Sequence, residues 1–272
     1  MKFVFFGTPD VAKDTLQYLI ENGLSPQVVV TNPDAPKGRG HIMTPSPVKE
    51  YAVSIGLPVL TPDSLDNEFM NEVGAYGADF AIVVAYGKIL PEALINSFPQ
   101  GVLNIHYSLL PRWRGAAPVE YALLNDDKET GVTVQKMVKE LDAGDIVAVK
   151  KLVIEEEDTT ATLRPRLIKL GAELLVETLP RYLNDEIVPI VQEESFVTLA
   201  PKLKKEAGEI NLDDDSRLNW NKYRAFAVWP GTYFFKNDKR HKITRASFKD
   251  GVFQVEKVIP EGGREIDWSV VS

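Results

Sequence analysis

Two polar side chains lie within an otherwise apolar strand near the middle of the sequence, in residues 101–118, GVLNIHYSLLPRWRGAAP. Asn104 and His106 are separated by one residue, so both project from the same face of that strand. An amide N–H can donate to an oxygen that gains negative charge, and an imidazole titrates near neutral pH and can carry a proton. Taken alone, the pair also fits a satisfied polar pair at a strand end.

The segments around this strand alternate between apolar runs and helical patterns, which is typical of a doubly wound α/β sheet. Parallel sheets of this class bind ligands beyond the carboxyl ends of their strands, where Asn104 and His106 would lie. Only Gly7 follows the first apolar run, where a dinucleotide fold would carry G-x-G-x-x-G, so NAD and FAD are not expected. Thr8 is predicted as an N-cap, with Pro9 at the first helical position. A further helix is predicted over residues 115–125.

Composition narrows the possible chemistry. The chain has 272 residues, of which 44% are hydrophobic, a size and composition that suit one large domain or a medium domain plus a small one. It has no Cys, which excludes disulfides, thiolate metal sites and Cys nucleophiles. The three His residues are far apart in sequence, so no metal is expected. Without a signal-peptide pattern or a long apolar run, we expect a cytoplasmic protein with no membrane contact.

Charge is distributed unevenly along the chain. The formal net charge of −8 argues against a general nucleic-acid binder. From Ile190 onward, however, 14 Lys and Arg residues stand against 13 Asp and Glu residues, whereas 17 stand against 26 upstream. This relatively basic tail permits contact with a polyanion.

The stretch NIHYSLLPRWRGAAP resembles the active-site segment of the formyltransferases that use 10-formyltetrahydrofolate. Four more motifs occur in that family's order: FFGTPD, TNPDAPKGRG…PSPVK, VVAYGKILP and ETGVTVQKMVKELDAGDI. The resemblance is close over roughly residues 1–235 and is weaker beyond them. It implies a doubly wound, mostly parallel sheet followed by a small OB-like β domain. In this chain that domain is shortened between Ser247 and Gly251.

The resemblance implies a direct transfer of formyl to an amine. Asn104 would stabilise the oxyanion, while His106 and Asp142 would handle the proton. From the residues alone, both Asp142 and Asp145 of LDAGDI fit turn positions, and Asp145 is expected to be structural. The absence of Cys and of a G-x-S-x-G elbow also favours direct transfer over a covalent enzyme intermediate.

The resemblance also implies binding residues. Main-chain groups of the turn after residue 85 would hold the folate of the donor, 10-formyltetrahydrofolate. The residues implied for folate are Tyr86, Gly87, Lys88, Ile89, Leu90, Ser108, Leu109, Leu110, Pro111 and Gly115. Lys37 and Arg39, on a polar loop, would meet the acceptor-stem region of a charged initiator tRNA. No protein partner is implied, and we expect a monomer.

Three functions remain open from the sequence. The GRG…PSPVK loop and the WRGAAP segment favour the branch of the family that formylates the methionine of charged initiator tRNA. The shortened tail instead fits an enzyme acting on a nucleotide-linked amino sugar or another small amine. A tRNA or folate binder without catalysis is the third possibility, and the complete Asn104, His106 and Asp142 set argues against it. In each case we expect a catalytic domain over residues 1–186, a linker over 187–205 and a C-terminal domain over 206–272.

Overall fold

The computed structural model describes residues 1–38 and 40–270 and divides into two compact units. The first unit comprises Met1–Arg112, Gly131–Lys151 and Leu167–Val197. The second comprises Trp113–Thr130, Leu152–Arg166 and the chain from Thr198 onward. Each unit is therefore assembled from segments that are distant in sequence.

The strands and helices follow the alternation predicted from the sequence. In chain order they are β1 (Phe3–Gly7), α1 (Asp10–Glu21), β2 (Val28–Val30), β3 (Ala35–Lys37), β4 (Ile42–Thr44), α2 (Pro47–Ser54), β5 (Val59–Leu60), α3 (Asn67–Gly74), β6 (Phe80–Val84), α4 (Glu92–Ile95), β7 (Val102–His106), α5 (Pro118–Leu124), β8 (Glu129–Lys136), β9 (Ile146–Val153), α6 (Thr160–Leu183), α7 (Ser216–Ala225), β10 (Thr232–Lys236), β11 (Lys239–Lys249), β12 (Val252–Pro260) and β13 (Ile266–Asp267).

Seven strands form the main sheet, in the order β5-β2-β1-β6-β7-β8-β9. Strands β5, β2, β1, β6 and β7 are parallel neighbours, and β8 pairs with β7 in the antiparallel direction. Strands β1 and β6 are buried at every residue, because helices cover both faces of such a sheet and favour continuous apolar runs. The predicted doubly wound, mostly parallel sheet is confirmed.

The predicted N-cap at Thr8 is wrong. Helix α1 begins at Asp10 after Pro9, which makes no side-chain capping bond. The Thr8 hydroxyl instead donates to the carbonyl oxygen of Tyr86 at 2.8 Å. Thr8 therefore bonds to the turn after β6 and does not cap the N-terminus of α1.

The polar loop after β2 contains an exposed two-stranded hairpin formed by β3 and β4. Two contacts hold its base: Lys49 Nζ lies 2.7 Å from Asp34 Oδ1, and the hydroxyls of Thr31 and Ser46 lie 2.7 Å apart. Lys37 lies on this hairpin. Arg39 lies outside the described residues.

The C-terminal part of the second unit is a four-stranded antiparallel sheet, in the order β10-β11-β12-β13, and α7 packs against β11 and β12. Asp250 and Gly251 join β11 to β12, with φ angles of 50° and 78°. Two residues with positive φ are typical of a type I′ hairpin, whose twist suits the flanking strands. A tight turn therefore closes the chain where the sequence predicted a shortened β domain.

The helix predicted over residues 115–125 begins later, at Pro118. The preceding residues pair with another segment: Arg114 N donates to Thr198 O at 2.9 Å, and Ala200 N donates to Arg114 O at 2.8 Å. A Cβ atom on Gly115 would collide with the carbonyl of Ala200. Main-chain pairing within the second unit thus prevails over local helical preference.

Candidate active site

One face of the main sheet carries a group of polar side chains. Asn104 of β7 is paired with Gln135 of β8, and His106 is paired with Thr133. Side chains of directly opposed residues share a face, as do residues two apart on one strand. All four side chains therefore project to the same side. His106, Thr133 and Gln135 are buried, and Asn104 is half-buried.

Asp142 joins this group from the loop between β8 and β9. Its Oδ1 atom lies 3.5 Å from Nδ1 of His106. The same oxygen accepts a hydrogen bond of 2.8 Å from Nε2 of Gln135. Oδ1 of Asp142 therefore contacts both the imidazole of His106 and the buried amide of Gln135.

This geometry sets the chemistry of the imidazole. A carboxylate beside Nδ1 favours the tautomer that carries its proton there, which leaves Nε2 as the basic nitrogen. The carboxylate of Asp142 is also close enough to the ring to orient it. Among the described residues, no side chain hydrogen-bonds to the Asn104 amide, so its N–H groups can serve a ligand. The cluster combines a proton carrier with a donor for a developing negative charge.

The loop after β7 is held by hydrogen bonds to Thr133, a buried residue of β8. Thr133 Oγ1 donates to Ser108 O at 2.7 Å and accepts from Leu110 N at 3.2 Å. The Ser108 hydroxyl donates to Arg112 O at 2.6 Å, and Ser108 is fully buried. Its hydroxyl is therefore used to shape the loop, which does not favour a Ser nucleophile.

The turn after β6 lies beside β7, because these parallel neighbours end at the same sheet edge. Burial raises the pKa of Tyr86 to about 12, so its phenol stays neutral in the core. Lys88 Nζ donates to the carbonyls of Pro62 at 2.6 Å and Asp63 at 2.9 Å, which ties down the turn. Gly87 has a φ of 90°, a backbone conformation that residues other than Gly rarely adopt.

The comparisons with known proteins identify the family. Residues 1–179 match the family model described as Formyl transferase, and residues 202–269 match its C-terminal domain. The chain belongs to the formyl transferase family.

One relative of this formyl transferase, a methionyl-tRNA formyltransferase from Dictyoglomus turgidum, is 41% identical over 258 residues, or 94% of this chain and 82% of the relative. An N-formyltransferase from Helicobacter canadensis, solved with folinic acid and dTDP-3-aminofucose, superposes with a TM-score of 0.70 at 20% identity over 92% of this chain and 88% of that one. Methionyl-tRNA formyltransferase from Clostridium thermocellum superposes with a TM-score of 0.64 at 18% identity over 98% and 99%. The two structures show that the fold is shared.

The structure brings only some of the predicted site residues of this formyl transferase together. Asn104, His106 and Asp142 form one cluster, and β6 and β7 carry the turns at 86–90 and 108–111 to one sheet edge. Gly115 belongs to the second unit, where it lies against Ala200. Ile89 is 88% exposed, whereas Leu90 and Leu110 are buried, which leaves Ile89 as the accessible apolar side chain of the first turn.

Sequence reasoning missed three residues that shape the site of this formyl transferase: Thr133, Gln135 and Gln192. Strand alternation could have placed Thr133 and Gln135 on a common face, but their opposition to Asn104 and His106 depends on the β7–β8 register. Gln192 lies in a segment without periodicity, yet its side chain bonds the loop that carries Asp142.

The described residues contain neither a metal-binding cluster nor a membrane-spanning helix. Across residues 1–38 and 40–270, no group of three His, Cys, Asp or Glu side chains is arranged to hold a metal ion. No helix in the described part of the chain combines the length and apolar character needed to cross a membrane.

Proposed function

We propose that this formyl transferase moves a formyl group from 10-formyltetrahydrofolate to the amino group of methionine on charged initiator tRNA. The observation that carries the proposal is the convergence of Asn104, His106 and Asp142 on one face of the sheet. The name of the relative at 41% identity, a methionyl-tRNA formyltransferase, supports the acceptor.

Asn104 stabilises the developing negative charge. The folate supplies the formyl group, and the methionine amine attacks its carbonyl carbon. Asn104 donates an amide N–H to the carbonyl oxygen as that oxygen gains charge. One donor of this kind is typically worth about 10² to 10³ in rate.

His106 and Asp142 handle the proton. Nε2 of His106 takes the proton from the attacking amine and returns it to the departing nitrogen, a role typically worth about 10² to 10⁴ in rate. Asp142, 3.5 Å from Nδ1, orients the ring and stabilises its charged form.

The folate site combines main-chain groups with apolar surface. Residues 86–90 offer backbone donors and acceptors around Gly87, and the exposed side chain of Ile89 suits an aromatic ring. Residues 108–111 provide a second wall, with Gly115 as a further predicted contact. These features fit a planar, hydrogen-bonding ligand, so we retain the predicted folate residues as a proposal.

The acceptor site includes the β3–β4 hairpin. Lys37 and Arg39 are proposed to meet phosphates of the tRNA, and the base of the hairpin is fixed by the Lys49–Asp34 contact. We also propose that residues 1–186 carry out the chemistry, that 187–205 form a linker and that 206–272 assist tRNA binding. The enzyme is proposed to work as a cytoplasmic monomer without a metal.

The identity of the acceptor can be tested by the salt dependence of binding and by the choice between candidate substrates. We would assay methionyl-tRNA and nucleotide-linked amino sugars at two salt concentrations, with Lys37→Ala, Arg39→Ala and the exposed control Lys169→Ala. For tRNA, the logarithm of the binding constant should fall by about 0.7 to 0.9 per log of salt for each phosphate neutralised. Lys37→Ala and Arg39→Ala should reduce that slope, while Lys169→Ala should leave it unchanged. Turnover of amino sugars alone, with no salt slope, would replace this proposal with the small-amine alternative.

A further inference from the structure

Asp142 needs outside support to hold its position. Its φ angle is 52°, in the left-handed region that residues with a Cβ atom adopt at an energetic cost. Its loop also presses against β8, because a Cβ atom on Gly144 would collide with the carbonyl of Lys136. A carboxylate on such a loop stays in place only when the surrounding structure fixes it.

Gln192 holds the backbone of this loop. Its Nε2 atom donates to the carbonyl oxygen of Asp142 at 2.8 Å and to that of Gly144 at 2.7 Å. Gln192 is only 5% exposed, so water competes little for these bonds. One amide therefore bridges the two carbonyls on either side of the turn.

Gln135 holds the carboxylate itself. Its Nε2 atom donates at 2.8 Å to Oδ1 of Asp142, the oxygen that faces His106. A hydrogen bond donated to a carboxylate favours its charged form. Gln135 therefore orients the carboxylate of Asp142 toward the imidazole.

The other end of the Gln135 amide points to a role beyond stability. Gln135 is 1% exposed, and its Oε1 atom is buried without a hydrogen-bond partner among the described residues. An unpaired buried acceptor costs stability, and an apolar side chain of similar size would avoid that cost. The amide is thus poorly suited to a purely structural position.

We infer that Gln135 and Gln192 are positioning residues for Asp142, with Gln135 acting on its carboxylate and Gln192 on its backbone. The inference rests on the proposed function, since it requires Asp142 to act in catalysis. Because Gln135 acts through the charge of Asp142, its loss should alter the pH dependence of turnover as well as its rate.

The test compares Gln135→Met, Gln192→Met and Asp142→Asn with the parent enzyme, using methionyl-tRNA and 10-formyltetrahydrofolate. Thr130→Val is the matched control, because Thr130 lies on the same strand and also has a buried oxygen with no hydrogen-bond partner in the described part of the chain. We would measure kcat, KM, the pH profile of kcat, thermal melting, and amide exchange of residues 138–145.

Gln135→Met should melt at or above the parent temperature, lose about 10- to 100-fold in kcat with little change in KM, and move the acid limb of the pH profile upward. Gln192→Met should lower kcat by a similar factor and speed amide exchange in the loop. Thr130→Val should keep the parent kcat and pH profile.

A Gln135→Met enzyme that keeps the parent kcat and pH profile would overturn the role of Gln135, as would one that loses melting temperature and kcat together at an unchanged profile. Parent-like loop exchange and kcat in Gln192→Met would overturn the role of Gln192. Failure of the proposed function looks different, because the parent would then not formylate methionyl-tRNA, or Asp142→Asn would remain fully active.

Discussion

Nδ1 of His106 lies 3.5 Å from Oδ1 of Asp142, although the two residues come from a central strand and from a loop 36 positions later in the chain (142 − 106). The contact gives the imidazole a negative neighbour on one side and leaves its other nitrogen as the base. The proposed proton transfer depends on this relationship and not on either residue alone.

Replacing His106 by Ala should reduce formyl transfer by about 10² to 10⁴, because no other imidazole lies in this cluster. Asn104→Ala should lose about 10² to 10³, or less where backbone donors share the charge. Turnover of 10-formyltetrahydrofolate would be measured alongside thermal melting. A folded His106→Ala variant with parent-like turnover would remove this residue from the mechanism.

Thr133→Val should loosen the loop at 108–112. The substitution preserves shape but leaves Ser108 O and Leu110 N without the hydroxyl, so the free energy of unfolding should fall by roughly 1 to 3 kcal/mol. KM for the folate should rise, since this loop forms part of the proposed folate site. Denaturant unfolding and steady-state kinetics measure the two effects. Thr130→Val serves again as the control, and equal behaviour of the two variants would contradict the prediction.

Acid pH should weaken the second unit through Asp158. Burial alone would raise the pKa of this carboxyl, but hydrogen bonds from Glu155 N, Arg166 and Thr162 outweigh it and hold the pKa below the ordinary value of 3.8. Because the folded-state pKa is depressed, the stabilisation is complete above the ordinary value and is lost as pH falls through the folded-state value.

Asp158→Asn should therefore lower the free energy of unfolding by roughly 1 to 3 kcal/mol at neutral pH. The difference from the parent should shrink as the pH falls below 3.8, where the parent carboxyl also becomes protonated. Denaturant unfolding across this range gives the comparison. A difference that stays constant into strong acid would show that the charge of Asp158 is not its source.

Removing residues 206–272 should destabilise the rest of the second unit as well as weaken the proposed tRNA binding. Arg224 of α7 is buried. Its guanidinium donates to Asp126 Oδ1 at 3.3 Å and to the carbonyl of Glu156 at 3.3 Å. Truncation before Glu206 would remove Arg224, so the Asp126 carboxylate and the Glu156 carbonyl would lose these hydrogen bonds. We expect the truncated chain to melt at a lower temperature and to be cleaved by proteases within 113–130.

Arg224→Met isolates this effect from the loss of the whole domain. It should cost roughly 1 to 3 kcal/mol of unfolding free energy, since it removes hydrogen bonds from a charged donor. Lys239→Met, on the exposed start of β11, is the matched control and should melt like the parent. Should both variants melt alike, the Arg224 contacts would not be what holds α7 in place.

The sequence by itself indicated the alternation of strands and helices and the pair Asn104 and His106 of the candidate site. Strands buried on both faces favour continuous apolar runs, and residues 80–84 form such a run. Residues 102–106 are apolar except for Asn104 and His106. The alternation of side chains along a strand placed Asn104 and His106 on one face without further information. The shortening of the β domain stays a prediction, and the structure adds the Asp250–Gly251 turn between β11 and β12.

The tertiary structure decided which distant groups meet. Nothing local shows that Thr8 donates to Tyr86, that residues 114–117 pair with 198–200, or that Gln135 and Gln192 converge on Asp142. Each of these residues is polar and has more than one possible hydrogen-bond partner. The choice among partners depends on strand register and loop closure, because hydrogen bonds require contact within about 3 Å and sequence separation does not set that distance.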